Sequence, residues 1–416
     1  MALEFGKRLL CQLRTELSSS YVRFPGRKID WCWRSSRMLG FKFLTLQKRK
    51  FLLVIVVVAS VNVIAFFAIG LKITLQKANK GSIEYRQLHP DEQKVLVYHC
   101  PWDVKCGGLG DRQKGIVGGF VLSAMLNRTF KIHMPLHPEC NLDFFLTPSE
   151  LDWRVRSTEL AHPDQQSLLA MDGDNIDVIQ SLLKKDNLQA ELPSTYVLFR
   201  SNMEIVQYLL QHPAAKKVEW LQGKSVPDIY KEVITRLFTP SERIQKKLQK
   251  LQSDFRAGNA SLICAQVRLG QSETFEDTEQ FLNVQVFPVL ADFLAPYSTA
   301  ATSRIFISSD SKKIVELATA RFPTVAVTVP GPITHVDRSK GGDTCEGTEK
   351  AVVEQFLLAS CDMLVISESG FAKIAAFLRG RDDGLYIVYN KATFFSHKIV
   401  VESYRRDEPA FPNRRW

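Results

Sequence analysis

Residues 304–329 read RIFISSDSKKIVELATARFPTVAVTV. Two short apolar runs, Arg304 to Ile307 and Val325 to Val329, flank a segment from Lys312 to Arg321 with helical periodicity. Runs of that length bounded by polar turns predict strands buried on both faces, and the intervening segment predicts a crossover helix. Strand, helix and strand in this order form a parallel βαβ unit. The alternation continues outward. Leu262 to Val267 predicts a strand, and Glu276 to Leu294 contains a helix. A helix from Glu349 to Ser360, a strand from Met363 to Ile366, a helix from Phe371 to Leu378 and a strand from Leu385 to Val388 follow. The fold class is therefore α/β with a doubly wound parallel sheet.

Upstream, Val95 to Tyr98 predicts a strand, and Cys106-Gly107-Gly108-Leu109-Gly110 a tight turn. A helix follows from Asp111 to about Asn127, with Ile116, Phe120, Val121, Ala124 and Met125 on one face, then a strand at 130–132. Residues 138–235 predict helices with one strand at 196–199. A break near residues 238–258 divides an N-terminal α/β domain, 93–240, from a C-terminal one, 241–416, with a cleft between them. Ligands of such sheets bind at the carboxyl ends of the strands.

The chain of 416 residues is too long for one ordinary core. Its 45% hydrophobic and 24% charged residues exclude a wholly disordered chain, a collagen and a polytopic membrane protein. Of the net charge of +10, residues 1–50 hold +9, from twelve Lys or Arg and three acids. The remaining body is close to neutral, so nucleic acid is not an expected partner.

Phe51 to Leu71 contains no charged residue and only Ser60 and Asn62 as polar ones. At 1.5 Å per residue it matches the roughly 30 Å of bilayer hydrocarbon. Lys48, Arg49 and Lys50 abut it on the N-terminal side, which predicts a cytosolic tail, 1–50, and a luminal body. The expectation is a single-pass type II signal anchor at 51–71, a polar stem at 72–92, and a Golgi membrane location. Sequons at Asn127-Arg128-Thr129 and Asn259-Ala260-Ser261 agree with a lumen. Six cysteines follow the anchor. Cys100, Cys106, Cys140, Cys345 and Cys361 are expected to supply most bridges, with Cys264 a buried free thiol.

The residues that follow the strands hold the candidate chemistry. Gly107-Gly108-Leu109-Gly110-Asp111-Arg112 leads into a helix whose N-terminal N–H groups suit an anion, although Gln113 stands where the dinucleotide fingerprint needs a third glycine. Arg268 ends its strand. It suits a diphosphate, or else a salt bridge to a neighbouring carboxylate. Ser308-Ser309-Asp310 and Ser367-Glu368-Ser369-Gly370-Phe371 each open a helix. Asp310 suits either a helix cap or an acceptor for a ribose or base hydroxyl, and the serines suit capping or a phosphate. His99, His133 and His137 are read as ordinary polar residues, His335 after its strand as a loop histidine or else a ligand contact, and 411–416 as a flexible tail.

Gly107 to Arg112 resembles the N-terminal glycine motif of the fucosyltransferase superfamily, which includes α1,2-, α1,6- and protein O-fucosyltransferases. Ala265 to Gln271 is similar to its His-x-Arg motif, and Ile307 to Asp310 and Ser367 to Lys373 resemble its two later motifs. The resemblance spans about residues 94–390. It implies a GT-B-like fold of two Rossmann-type domains, GDP-fucose as donor, inversion at the sugar carbon, and no metal or other cofactor. It places β-phosphate binding on Arg268, the nucleoside contact on Asp310, and phosphate contacts on Ser367 and Ser369. Gly108, Gly110, Arg112, Gly370 and Phe371 complete the implied donor site. Two positions depart from the pattern: Gln266 replaces the motif histidine, and Gln271 the Asp or Asn after the arginine. A base eight residues past the arginine falls on Glu276, with Glu273 and Asp111 as other carboxylates. Two alternatives stand beside this reading. One is a non-catalytic sugar- or nucleotide-binding pseudoenzyme. The other is a metal-dependent transferase using Asp172-Gly173-Asp174 with another nucleotide sugar. The acceptor is expected to be a glycan or glycoprotein.

Overall fold

The computed structural model describes residues 94–408 apart from 138–139, 157–159, 162–165, 172–175, 271, 273–279, 299–301, 339–343 and 393–396. Two parallel sheets organise it. The first contains β1 (Val95–His99), β2 (Thr129–His133), β6 (Gln166–Met171) and β7 (Tyr196–Ser201) in the order β2-β1-β7-β6. The chain between them adds the small strands β3 (Pro135–His137), β4 (Cys140–Asn141) and β5 (Leu146–Pro148), and β5 pairs with β8 (Phe238–Pro240).

The second sheet contains β9 (Ser261–Val267), β10 (Ser303–Ser309), β11 (Ala326–Val327), β12 (Met363–Ser367), β13 (Leu385–Ala392) and β14 (His397–Ser403). Their order is β11-β10-β9-β12-β13-β14, parallel except for the antiparallel edge strand β14. Numbered from β9, this is the 3-2-1-4-5-6 order of a doubly wound sheet, and its switch point lies between β9 and β12.

Eight helices of eight or more residues lie among the described residues: α1 (Leu109–Met125), α2 (Ile176–Leu183), α3 (Val226–Leu237), α4 (Glu242–Phe255), α5 (Val286–Leu294), α6 (Lys312–Arg321), α7 (Thr344–Ala359) and α8 (Gly370–Arg379). Successive strand residues point to opposite faces. On β9, Ile263, Ala265 and Val267 therefore pack with Leu290 of α5 and Ile314 of α6. Leu262 and Cys264 face the other way, into the core that holds Val353 and Leu357 of α7 and Ile374 of α8. That second core runs on without interruption into Leu96, Ile116 and Phe120 of the first sheet and its helix. Tyr230 of α3 meets Phe377 of α8 at 5.3 Å between ring centroids.

The second half follows the sequence pattern closely, because both faces of its strands are covered and read as continuous apolar runs. Four differences are informative. Where helices were expected, the described residues after 138 include the strands β4, β5 and β6, which are very short or only partly buried and leave no apolar run. The break expected near 238–258 is occupied by α4, whose Arg243 and Lys247 pair with Glu349 of α7. Strand β14, an edge strand with no fully buried residue, continues a sheet that was expected to end at 388. Cys264 is not a free thiol. It bonds to Cys361, just beyond α7, while Cys100–Cys106 and Cys140–Cys345 form the other bridges. An apolar run conceals a disulfide whose partner is 97 residues away.

The anchor at 51–71, the tail and the stem lie outside the described residues. Among those described, no helix is long and apolar enough to cross a membrane.

One contact explains a glycine. A Cβ built on Gly110 would lie 2.5 Å from the backbone nitrogen of Phe371 and 2.8 Å from the carbonyl carbon of Gly370. The first turns of α1 and α8 therefore touch backbone to backbone, and any side chain there would force them apart. Gly110→Ala is expected to lower stability by about 1–3 kcal/mol, read as a fall in the urea midpoint at unchanged m-value.

Candidate functional site

The carboxyl end of β9 is held from both sides of the switch point. The backbone nitrogen of Arg268 donates to Ser367 Oγ at 2.9 Å, and that hydroxyl donates to Gln266 Oε1 at 2.8 Å. On the other side Asp310, after β10, accepts from Arg268 Nη1 at 3.0 Å and from the backbone nitrogens of Leu269 and Gly270, both at 2.8 Å. Gly270 has φ 74°, and the Asp310 contacts hold that turn in shape. The guanidinium also lies 5.2 Å from the centroid of the Phe281 ring. Burial pushes the Asp310 carboxyl up, against the opposing pull of Arg268 and the two N–H donors.

The Arg268 side chain is 15% exposed and paired with Asp310. Asp310 does not cap α6, whose N-cap is Ser311. Its carboxylate accepts from three donors of the 268–270 turn. Ser367 is fully buried and braces β9 against β12. Ser369 is the buried N-cap residue of α8, and its side chain makes no capping bond. Gly370 and Phe371 open α8 against Gly110.

The glycine motif is also tied up. Asp111 accepts from the Gly108 nitrogen at 3.0 Å and pairs with Lys114 at 2.8 Å, as the capping residue of α1. The Asp111 side chain stays 37% exposed in this arrangement. Arg112, expected at the donor, is 2% exposed and forms an ion pair with Asp337, itself 5% exposed. Arg112 Nε also donates to the Gly107 carbonyl, and the Gly107 nitrogen donates to Asp337. Gln113 exchanges two amide hydrogen bonds with Gln355 of α7, which reaches on to the Phe371 carbonyl. A Cβ on Gly108 would lie 3.1 Å from His335 Nε2. Residues 107–113 therefore form a joint against the segments that follow β11 and β12. The separation of 225 residues between Arg112 and Asp337 hid this pairing from the sequence.

Glu276, Glu273, Gln271 and the Asp172-Gly173-Asp174 motif lie outside the described residues. Asn127 and Asn259 are both exposed, with φ 49° and 59°. His137, Cys140 and Cys345 cluster, but Cys140 and Cys345 are bonded to each other and offer no thiolates to a metal.

Sequence inspection also missed three buried acids. Glu204 accepts from the backbone nitrogens of Val206 and Gln207, and burial pushes it up to about 7. Glu354 binds Lys350 at 2.9 Å and Ser308 Oγ at 2.8 Å. Glu349 is the partner of Arg243 and Lys247. No local pattern marks such residues, because their partners come from other elements.

No known family model matches the chain, and no curated protein matches it in sequence. Solved structures do. An arginine-to-lysine mutant of Arabidopsis thaliana FUT1 in complex with GDP is similar at 15% identity, covering 77% of this chain and 78% of that chain, with a TM-score of 0.53. NodZ alpha-1,6-fucosyltransferase soaked with GDP-fucose matches at 14% identity, 75% and 100% coverage and a TM-score of 0.45. Fucosyltransferase NodZ from Bradyrhizobium matches at 13%, 75% and 99%, with 0.43. The likeness to the plant protein is one of fold, and it agrees with the fucosyltransferase-like architecture expected from the motifs.

Two outcomes follow from the geometry. Removing one partner of a buried ion pair strands the other, so Asp337→Ala is expected to cost about 3 kcal/mol or more, measured by chemical unfolding. The second concerns His99, whose ring is pushed down to about 4, chiefly by burial and then by His133 and Arg200, with Asp103 opposing. The unfolded chain takes up that proton near pH 6.5 and the folded chain only near 4, so this contribution to stability is lost as pH falls between them. His99→Gln should gain stability relative to wild type as pH is lowered from 6.5 to 4 in thermal scans. A constant difference would contradict this.

Proposed function

We propose that the chain is a membrane-anchored, inverting glycosyltransferase of GT-B-like architecture that transfers fucose from GDP-fucose to a hydroxyl of a glycan or glycoprotein. One observation carries the reading: a guanidinium stands at the switch point of a 3-2-1-4-5-6 sheet, oriented by Asp310 and by the Ser367–Arg268 backbone bond. A diphosphate leaving group develops charge as the sugar bond breaks, and a pre-oriented arginine offsets it with little reorganisation. Because Asp310 already engages Nη1, the phosphate shares the arginine with that carboxylate. The helix N-terminus of α8, which begins three residues after β12, adds backbone dipole to the same edge. The GDP bound in the plant FUT1 structure supports a nucleotide-sugar donor for a fold of this kind.

In this reading residues 51–71 anchor the chain in the Golgi membrane as a type II protein, and 94–408 work in the lumen. The three disulfides support an oxidising compartment. The exposure of Asn127 and Asn259 supports their glycosylation there. The two lobes 93–240 and 241–416 would take acceptor and donor respectively. The acceptor hydroxyl needs a base, and Glu276, which follows the Arg268 turn, remains the proposed group.

The test is a donor screen on the full chain in detergent, measuring release of nucleoside diphosphate from each nucleotide sugar. GDP-fucose should be consumed in preference to the UDP-sugars, and Arg268→Ala should lower GDP affinity by tenfold or more while the thermal unfolding transition persists. Turnover of UDP-sugars alone would reject the reading, as would unchanged GDP affinity in the variant.

A further inference from the structure

The loop after β1 presents an aromatic ring to solvent. Trp102 is 66% exposed, the highest value among the large exposed hydrophobic residues described. Its backbone is not a loose tip. The Val104 nitrogen donates to the Pro101 carbonyl at 3.0 Å, which puts Trp102 inside a closed turn. The Cys100–Cys106 disulfide brackets that turn, and both cysteines are fully buried. Arg112 Nη1 lies 2.9 Å from Cys100 Sγ and ties the bracket to the Asp337 joint. The exposed indole is thus carried on a backbone that is fixed rather than loose.

A second feature lies three residues away. His99 and His133 end the neighbouring strands β1 and β2, their rings stack at 4.9 Å, and their Nδ1 atoms are 3.1 Å apart. Both rings are held below the ordinary histidine range, chiefly by burial, so both are neutral near pH 7. In a neutral pair joined through Nδ1, one ring donates from Nδ1 and keeps its Nε2 as an acceptor. The other accepts at Nδ1 and keeps its Nε2–H as a donor. The pair thus offers one acceptor and one donor, uncharged, and neither Nε2 has a hydrogen-bond partner among the described residues. Adjacent hydroxyls of a sugar, each both donor and acceptor, match that pair. The apolar C–H face of a pyranose ring matches an exposed indole.

We propose that Trp102, His99 and His133 form a hexopyranose-binding subsite at the carboxyl edge of the first sheet. Within the transferase reading, on which this assignment rests, it is the acceptor subsite. Its position fits that role. Gly107, the residue after the bracketing cysteine, bonds to Asp337, and Gly108 abuts His335, so the Trp102 loop adjoins the joint with the second sheet's post-strand segments. The Cα atoms of Trp102 and His99, three residues apart, lie within about 11 Å of each other.

The experiment uses the full chain in detergent with four probes: lactose, cellobiose, N,N′-diacetylchitobiose and maltose. Binding is read by saturation-transfer difference NMR and by tryptophan fluorescence. At least one disaccharide should bind saturably. Trp102→Ala should weaken it by about three- to tenfold, the range a stacked aromatic contact supports, and Trp102→Phe should restore most of the loss. Because Trp102 is exposed, the alanine variant should unfold at the wild-type temperature. Equal affinity in wild type and Trp102→Ala, or no saturable binding of any probe, overturns the subsite. GDP affinity, measured by calorimetry on the same wild-type sample, separates this from the transferase reading. Saccharide binding without GDP binding sinks the transferase and keeps the subsite. GDP binding without saccharide binding does the reverse.

Discussion

The buried ion pair between Arg112 and Asp337 is the constraint on which the rest of the arrangement depends. Two charges withdrawn from water are tolerable only when each is closely paired and further hydrogen-bonded. Asp337 meets this by also accepting from the Gly107 nitrogen, and Arg112 by donating to the Gly107 carbonyl and by its approach to Cys100 Sγ. The result is a cross-brace between the loop after β1 and the loop after β11. Gln113–Gln355 and the Gly110 contact with α8 extend it along the first two turns of α1. The Cys140–Cys345 bridge, which joins β4 to the first turn of α7, holds the same region covalently.

This joint accounts for the residue choices in the glycine-rich motif without a ligand. Gly107 has φ 84°, a conformation that side chains disfavour, and a Cβ there would strike Asp111. Gly110 is required by backbone contact. Asp111 caps the helix. The switch point of the second sheet lies between β9 and β12. There Arg268 is oriented by a side chain on one neighbouring strand's end and a carboxylate after the other. The ion pair with Asp310 reduces the arginine's net attraction for an anion, but fixes its direction.

The disulfides divide the labour differently. Cys264–Cys361 ties the central strand β9 to the end of α7 within one layer of the core. Cys100–Cys106 closes only a small loop, with a separation of six residues. Such a short bridge removes little chain entropy compared with a long one, so its effect is mainly local, on the conformation of the Trp102 turn.

Local pattern was enough to read the second sheet. Its strands are buried on both faces, so Leu262 to Val267, Arg304 to Ile307 and Met363 to Ile366 stand out as apolar runs with periodic helices between them. It was also enough to pick out Arg268, Asp310 and Ser367 as the residues at the strand ends. It did not reach the strands of 138–171 or β14, because partly buried or two-residue strands carry no run to detect. Nor could it say what the chosen residues touch. That Asp310 orients Arg268, that Ser367 braces a strand, that Arg112 belongs to Asp337 and Cys264 to Cys361 are facts of pairing across 42, 99, 225 and 97 residues. Periodicity records which face of an element is buried. Only the folded chain decides which distant group completes a buried charge or thiol, since that choice depends on three-dimensional proximity and on what water has been excluded.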